Sequence, residues 1–444
     1  MNRKLTRQEF LKVGGGAFVG TSVLGLAGCG AGGGTSSGSL SYWASQQAPT
    51  IAQDKQILGK VAKEFKKQTG VAVNVKVIGW EDLWNRITTA ISSGQGPDVL
   101  NIGNTWSPSL QATGAFMPFD QDPLNAIGGK SKFIQTAYDT SGAPGKTPTS
   151  VPVYGLSYAL FYNKAMFQEA RIKSPPKSWE EFLGVAKKLT NPPNRWGLAV
   201  EGASVTENSH WAFILGRQQG GTLFDKKNKP TFDSPQIVRA VKQYVDFIAK
   251  DKIASPEGAQ YSTGTQAPTD FANEKAAMIM FQTGTMTALA SSGMKESEYG
   301  IAPIPLPDPL PPGGEPIMSH TAGINLSIFN NTQNQDGALK FVKFMTSKGQ
   351  QTRLNQEYTS LPVTQTAAGE AAFHTDKLKV FQDIYANNSA PMPLIPDEGQ
   401  METLIGGAVK NLFAKAASTG KVSENDVRSE LAEANQKMAA SGMG

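Results

Sequence analysis

From residue 40 onward the spacing of apolar positions changes repeatedly, and each change marks an element. Leu40-Ser41-Tyr42-Trp43 predicts a short strand, with a polar loop over Ala44–Thr50 behind it. Within Ile51–Gln68, Ile57, Leu58, Val61 and Phe65 recur at helical spacing, and Gly70 supplies a stop. Val71, Val73, Val75 and Val77 then alternate, which predicts a strand over Val71–Ile78. A helix over Glu81–Ser92, a Gly-Gln-Gly-Pro turn and a strand over Asp98–Ile102 come next. Strand, helix, strand, helix, strand is the order of an α/β protein with a largely parallel sheet.

Val151–Tyr162 is a run of β-branched, aromatic and aliphatic residues, read as one strand with Tyr154, Tyr158, Phe161 and Tyr162 close together. Asn163-Lys164 breaks it, and Ala165–Ala170 predicts one or two helical turns. Ser174-Pro175-Pro176 stops the chain again. Ser178-Trp179-Glu180-Glu181 has capping-box form ahead of Phe182–Leu189. Farther on, Arg195–Glu201 reads as a strand, His210–Gly221 as a helix and Ser234–Lys250 as an amphipathic helix. Tyr299–Leu306 and Gly323–Phe329 read as strands on either side of a proline-rich surface loop, Pro307–Pro316. Asp336–Asn355 is one helix by its spacing, and helices over 377–388, 400–418 and 423–439 complete the chain.

The order of several of these pieces carries more than their shapes. An extended segment ending in Tyr162-Asn163-Lys164, followed by Pro175-Pro176-Lys177-Ser178-Trp179-Glu180-Glu181-Phe182, resembles the extracellular solute-binding proteins of ABC importers. The nearest group is the carbohydrate-binding family that includes maltose-binding protein. Thr69-Gly70-Val71 between helix and strand, Ser93-Gly94-Gln95-Gly96-Pro97-Asp98-Val99, the loop Gly114–Asp120 and Ser360-Leu361-Pro362-Val363 are similar to that family as well. Phe271–Met278 matches its helix end and strand, with Asn273-Glu274 where the family has glycine. The resemblance implies an α/β, two-lobed periplasmic-binding-protein fold of type II form, with a ligand cleft between the lobes and a three-crossing hinge. The crossings would fall near 154–158, 300–303 and 360–363. Lobe one would hold 40–155 and 303–360, and lobe two 156–302 and 361–444. It also implies a carbohydrate ligand, ABC permease transmembrane subunits as partners, a monomer, no cofactor and no catalysis.

Length fits two lobes, since 444 residues exceed what one core usually serves. The formal net charge is +5, but residues 1–28 hold Arg3, Lys4, Arg7 and Lys12 against Glu9. The basic pI therefore reflects the N-terminus and implies nothing about partners. No Lys/Arg-rich run with interleaved aromatics occurs, which argues against nucleic-acid binding. Residues 1–12 are basic and 13–28 small or apolar, the layout of a signal peptide and too short for a membrane span of roughly 20 residues. Leu26-Ala27-Gly28-Cys29 resembles the bacterial lipobox, which implies lipid attachment at Cys29, the sole cysteine. Thr6-Arg7-Gln8 resembles a twin-arginine export motif lacking its second arginine, so the general secretory route stays open. The Gly/Ser-rich stretch after Cys29, to residue 39, is a flexible tether with a reach of roughly 15–20 Å. The expected location is thus the outer face of a cell membrane, held by lipid.

Catalytic signatures are sparse. Three histidines, at 210, 320 and 374, show no metal-binding spacing, and neither a G-x-S-x-G elbow nor a P-loop occurs. Glu81/Asp82 and Glu180/Glu181 lie at helix starts, where the helix dipole explains them. Flat indole rings at a cleft mouth can stack on the C–H faces of sugars, while amides and hydroxyls bond the sugar OH groups. Trp43 beside Gln46-Gln47 and Trp106 after Asn104-Thr105 follow strands, where α/β sheets bind ligands. Asn208 and Trp211 near a helix start form a third group, whereas Trp84, Trp179 and Trp196 read as packing residues. The candidate cleft set is completed by Trp80, Tyr158, Gln282, Gly284, His320, Gly323, Tyr358 and Glu398. Gln, Asn, Thr and Trp in these loops favour a neutral, sugar-like ligand over a phosphorylated polyol, peptide or polyamine. An extracellular polysaccharide-active enzyme is the alternative of a different class.

Overall fold

The computed structural model describes residues 38–441. Cys29, the signal peptide over 1–28 and most of the tether over 29–39 lie outside the described residues. Among the described residues there are ten strands: β1 Leu40–Ser45, β2 Val73–Ile78, β3 Val99–Gly103, β4 Val151–Leu156, β5 Tyr158–Asn163, β6 Met278–Gln282, β7 Tyr299–Ala302, β8 Ser319–His320, β9 Ala322–Ile328 and β10 Ser389–Ala390. Five form a sheet in the order β2-β1-β3-β9-β4; β1 runs parallel to β2 and β3, and β9 runs antiparallel to β3 and β4. A second sheet, β6-β5-β7, is antiparallel throughout, and β8 pairs with β10 in a two-stranded ribbon.

The β-forming run at 151–162 is not one strand. A single residue, Ser157, separates β4 in the first sheet from β5 in the second. The backbone groups around it are claimed from different directions. Gly155 exchanges both hydrogen bonds with Leu361, at 2.8 and 2.7 Å. Ser157 accepts at its carbonyl from Thr283 N–H, and its hydroxyl donates to Phe381 O. Tyr158 N–H then donates to Ser319 Oγ. Composition cannot reveal such a switch, because both halves are equally good strand formers.

The local signals elsewhere act largely as the sequence predicts. Thr50 and Gln53 close a capping box on helix Ile51–Thr69, which Gly70 ends at φ 77°. Ser178 caps Trp179–Leu189 by accepting from Glu181 N–H, but the Glu181 carboxylate takes Lys177 N–H in place of the cap residue's own. The helix expected over Asp336–Asn355 is two, Gln335–Met345 and Lys348–Glu357, because Ser347 caps a new start by accepting from Gln350 N–H. Arg195–Glu201 forms only isolated bridges, at Arg195, Trp196, Leu198 and Ala199, and no ladder. Residues 303–318 stay against the second sheet's surroundings after β7. Leu306 N–H donates to Lys177 O and Glu315 pairs with Arg217. The chain therefore re-enters the first sheet at Ala322, beyond the crossing that the sequence places near 300–303.

Three apolar clusters follow from this layout. One covers a face of the second sheet with helices Trp179–Leu189, Val205–Gln218, Pro235–Ala249, Glu398–Thr419 and Glu424–Ala440. Another lies on the first sheet under Ile51–Thr69 and Gln335–Met345 and continues onto the opposite face of the second sheet. Strand β5 serves both: Tyr158 and Leu160 face the first cluster, Ala159 and Phe161 the other. A small third cluster joins helix Trp80–Ser93 to Trp106, Phe116 and Phe329.

Helix Glu398–Thr419 approaches helix Val205–Gln218 closely enough that a Cβ at Gly406 would lie 2.1 Å from Val205 O, whereas one at Gly407 meets nothing within 4 Å. Gly406→Ala should thus force the helices apart and cost about 1–3 kcal/mol. Gly407→Ala should be neutral or stabilising by up to about 1 kcal/mol through helix propensity. Urea unfolding of the two variants checks this contact, and equal effects would refute it.

Candidate functional site

The first turn of helix Glu398–Thr419 is where elements around the second sheet meet those of the first. Met401 and Ile405 set the buried face of that turn, and Glu398 and Glu402, four residues apart, are buried on it too. Gly399 N–H donates to Ser109 Oγ, and a Cβ at Gly399 would lie 2.7 Å from the Trp84 ring. Glu402 Oε2 accepts from Trp106 Nε1–H at 3.1 Å. The Trp106 ring is flanked edge-on by Trp84 at 5.2 Å and Trp80 at 5.8 Å. Trp80 donates to Gln46 O and remains 37% exposed, at the rim of the group.

On the far side of Glu402 stands His210, its Nε2 3.6 Å from Oε1. Its Nδ1 lies 2.9 Å from the Tyr158 hydroxyl, which donates to Glu207 Oε2 at 2.7 Å. With one proton to give, Tyr158 accepts from His210, so Nδ1 carries the hydrogen. Trp211 meets the Tyr158 ring edge-on, and His320 stacks on His210 with centroids 3.9 Å apart. Among the described residues neither ring nitrogen of His320 has a hydrogen-bond partner, and neither carboxyl oxygen of Glu398 meets an N–H or hydroxyl donor, its polar neighbour being the Glu402 carboxyl, although the residues are 2% and 0% exposed.

Burial dominates the charge states. It pushes the Glu398 carboxyl well up, helped by the neighbouring Glu402, and it also raises Glu207 against the pull of His210 and Tyr158. Burial alone would raise Glu402; His210, Glu398 and the Trp106 N–H outweigh it and hold that carboxyl below its ordinary value. Buried orphan donors and acceptors beside indole faces are what a polar, disc-shaped ligand would satisfy.

Residues 48–352 match the bacterial extracellular solute-binding protein family, well over half of the chain. The chain belongs to that family. This solute-binding protein is 26% identical over 362 residues to a putative binding protein of Brucella abortus, covering 78% of this chain and 81% of the relative. It is 23% identical to the maltotriose-binding protein of Pyrococcus abyssi, covering 85% and 78%. A solute-binding protein of Thermotoga lettingae, solved with α-D-tagatose, superposes with a TM-score of 0.77 at 22% identity, covering 90% of this chain and 99% of the other. The two-lobed α/β fold expected from the sequence is therefore the fold of this solute-binding protein.

Of the residues nominated from sequence, Trp80, Trp106, Tyr158, Trp211, His320 and Glu398 come together in this one group. Asn104 and Gly323 border it: Asn104 Nδ2–H donates to Thr321 O, and Gly323 lies against Asn104. Thr105 is buried beside them, and Gln282 sits opposite Tyr158 in register. Gln46 and Gln47 form the turn under Trp80, where Asp54 accepts from Gln47 and Ala48 N–H. The others lie apart. Trp43 is mid-strand in β1, on the third cluster's face with the Lys76 ammonium 5.1 Å over its ring, and does not end the strand. Tyr358 packs edge-on to Tyr154 in the first sheet's core, with Gly284 against its backbone. Asn208 donates to Gly202 O inside the second body.

Trp106 itself starts a helical segment, a 3-10 turn over Asn104–Trp106 leading into helix Ser107–Ala112; it is not in an open loop, because Pro108 fits a helix's first turn. Glu402, His210, Glu207 and Trp84 were not nominated. A signal for Glu402 existed: it shares a helical face with Met401 and Ile405, where a solvated carboxylate does not belong.

Burial, with the neighbouring His210, holds His320 well below the ordinary histidine value of 6.5. Its contribution is complete above that value and is lost as pH falls below it, by about 1.4 kcal/mol per unit until its own depressed value. Glu398 and Glu207, shifted upward, run the opposite way, so the effect is read as a difference between proteins. Thermal unfolding near pH 7.5 and near pH 5 should show His320→Asn gaining on the wild type at the lower pH. A constant difference would remove His320 from the pH response.

Proposed function

We propose that this protein captures a sugar or oligosaccharide between its lobes, releases it unchanged to the transmembrane subunits of an ABC permease, and is held at the membrane by lipid on Cys29. The lobes correspond to the bodies around the two sheets, with the crossings as hinge. The observation that carries the reading is the group of indoles beside buried, unpartnered Glu398 and His320 where the lobes meet. These groups have no access to solvent when the lobes are together, so the ligand enters an open form and shifts the population toward the closed one. Maltotriose for the Pyrococcus relative and tagatose for the Thermotoga structure support a carbohydrate as the class.

Two experiments test it. A panel of mono- and oligosaccharides should include at least one that raises the melting temperature without being consumed; turnover, or no stabilisation across the panel, would refute sugar capture. With such a ligand, Trp80→Ala should weaken binding by about 5- to 150-fold, the equivalent of roughly 1–3 kcal/mol for aromatic stacking by analogy with bases. Ligand-free stability should hardly move, because Trp80 is exposed. Trp106→Ala, by contrast, should lose binding and stability together, since Trp106 also belongs to the third apolar cluster. For the anchor, Cys29→Ser should release the protein from the membrane fraction and abolish lipid labelling; retention with labelling intact would exclude Cys29 as the attachment point.

A further inference from the structure

Among the described residues the carboxyl groups at the lobe junction have no lysine or arginine counterpart. Glu398 and Glu402 are buried and Glu207 is half-buried, and among the described residues none forms an ion pair with lysine or arginine. The one basic side chain facing the set is His210, its Nε2 3.6 Å from Glu402 Oε1. A buried carboxylate without a counter-charge is costly, and among the described residues Glu398 has no cationic partner, its one polar neighbour being the Glu402 carboxyl. His320 adds a second, independent sign of a missing partner: it is buried, stacked on His210 and unbonded at both nitrogens.

Four ligand chemistries can be set against this arrangement. A phosphate or carboxylate ligand would be repelled, with no arginine or lysine to receive it. A bare metal ion lacks its donors, for among the described residues no three His, Cys, Asp or Glu side chains are grouped to hold one. A neutral sugar would hydrogen-bond these carboxyl groups but leave the Glu402 charge without a cationic ligand. An ammonium group on a sugar-like ring removes the charge, donates up to three hydrogen bonds and gains from the adjacent Trp84 and Trp106 rings.

We infer that the cleft is built for a saccharide or cyclitol bearing a protonated amine, with the ammonium held between Glu398 and Glu402 beside Trp84 and Trp106. This rests on the carbohydrate reading above and narrows it. It also reverses the neutral preference drawn from the loop residues, because Glu402 and Glu207 were absent from that set.

Calorimetry with matched ligands at neutral pH decides it: glucosamine and its β-1,4 dimer and trimer, the N-acetylated forms of each, and glucose, cellobiose, cellotriose and maltotriose. The free amines should bind roughly tenfold or more tightly than their neutral or acetylated partners, the margin of a charge-assisted over a neutral hydrogen bond. Glu398→Gln should reduce that margin toward unity. If a neutral or acetylated sugar binds as well as the amine or better, the inference is overturned and the carbohydrate reading stands. If no sugar in the set binds at millimolar concentration, both fall. The wild-type ratio is decisive by itself should the variant fold poorly.

Discussion

One residue, Ser157, decides how this chain can be two bodies and still one machine. The strand before it belongs to the first sheet and the strand after it to the second, so nothing but that peptide separates them. A break of one residue leaves no slack for drift. Its backbone and hydroxyl are fixed by Thr283 and Phe381, and its neighbours by Leu361 and Ser319. Tyr158 therefore enters the junction in a defined register, and the aromatic and acidic group assembles around a side chain whose position the crossing sets.

The second contributor, helix Glu398–Thr419, is positioned by different means. Its body is docked along Val205–Gln218 through the close approach at Gly406, which leaves its first turn projecting toward Trp84, Trp106 and Ser109. The contact it makes there is polar and thin: a hydrogen bond from Gly399 N–H, one from the Trp106 indole, and ring edges. Such a contact can part and re-form without dismantling either core. By contrast the second apolar cluster runs unbroken from one sheet to the other near Tyr154, Ala159, Phe161 and Leu361, on the side of the crossings. A continuous apolar seam on one side and a polar, separable contact on the other is the mechanical asymmetry that a hinge requires.

The sequence made most elements legible, because caps and periods are local. Thr50, Gly70 and Ser178 mark real helix ends, and the valine alternation before Ile78 is a real strand. What it could not show is non-local. Whether Val151–Tyr162 is one strand or two depends on which partners claim its backbone, and those partners lie more than a hundred residues away. The same holds for the site. Trp80, Trp106, Tyr158, Trp211, His320 and Glu398 were nominated piecemeal, and only the fold puts them in one place. Trp43 and Tyr358 are as aromatic as the rest, yet the pleat of β1 and the core around Tyr154 carry them elsewhere. Glu402 was missed because a glutamate on a helix is ordinarily a surface residue; its register against Met401 and Ile405 was the available sign.

The unpartnered atoms bear on how closure is made conditional. Each buried polar atom without a partner costs about 1–3 kcal/mol, and among the described residues Glu398 and His320 together carry four such atoms. Opening returns them to water and removes the cost; a ligand with the right donors removes it with the lobes closed. Moving a two-state balance from 1:99 to 99:1 takes about 5.5 kcal/mol of differential affinity. Three or four satisfied atoms supply a sum of that order before any ring stacking is counted. In the capture proposed above, the defect that weakens the empty closed form would be the source of the ligand's leverage over it. Filling the junction with well-packed apolar residues would make a more stable protein that closes whether or not anything is bound.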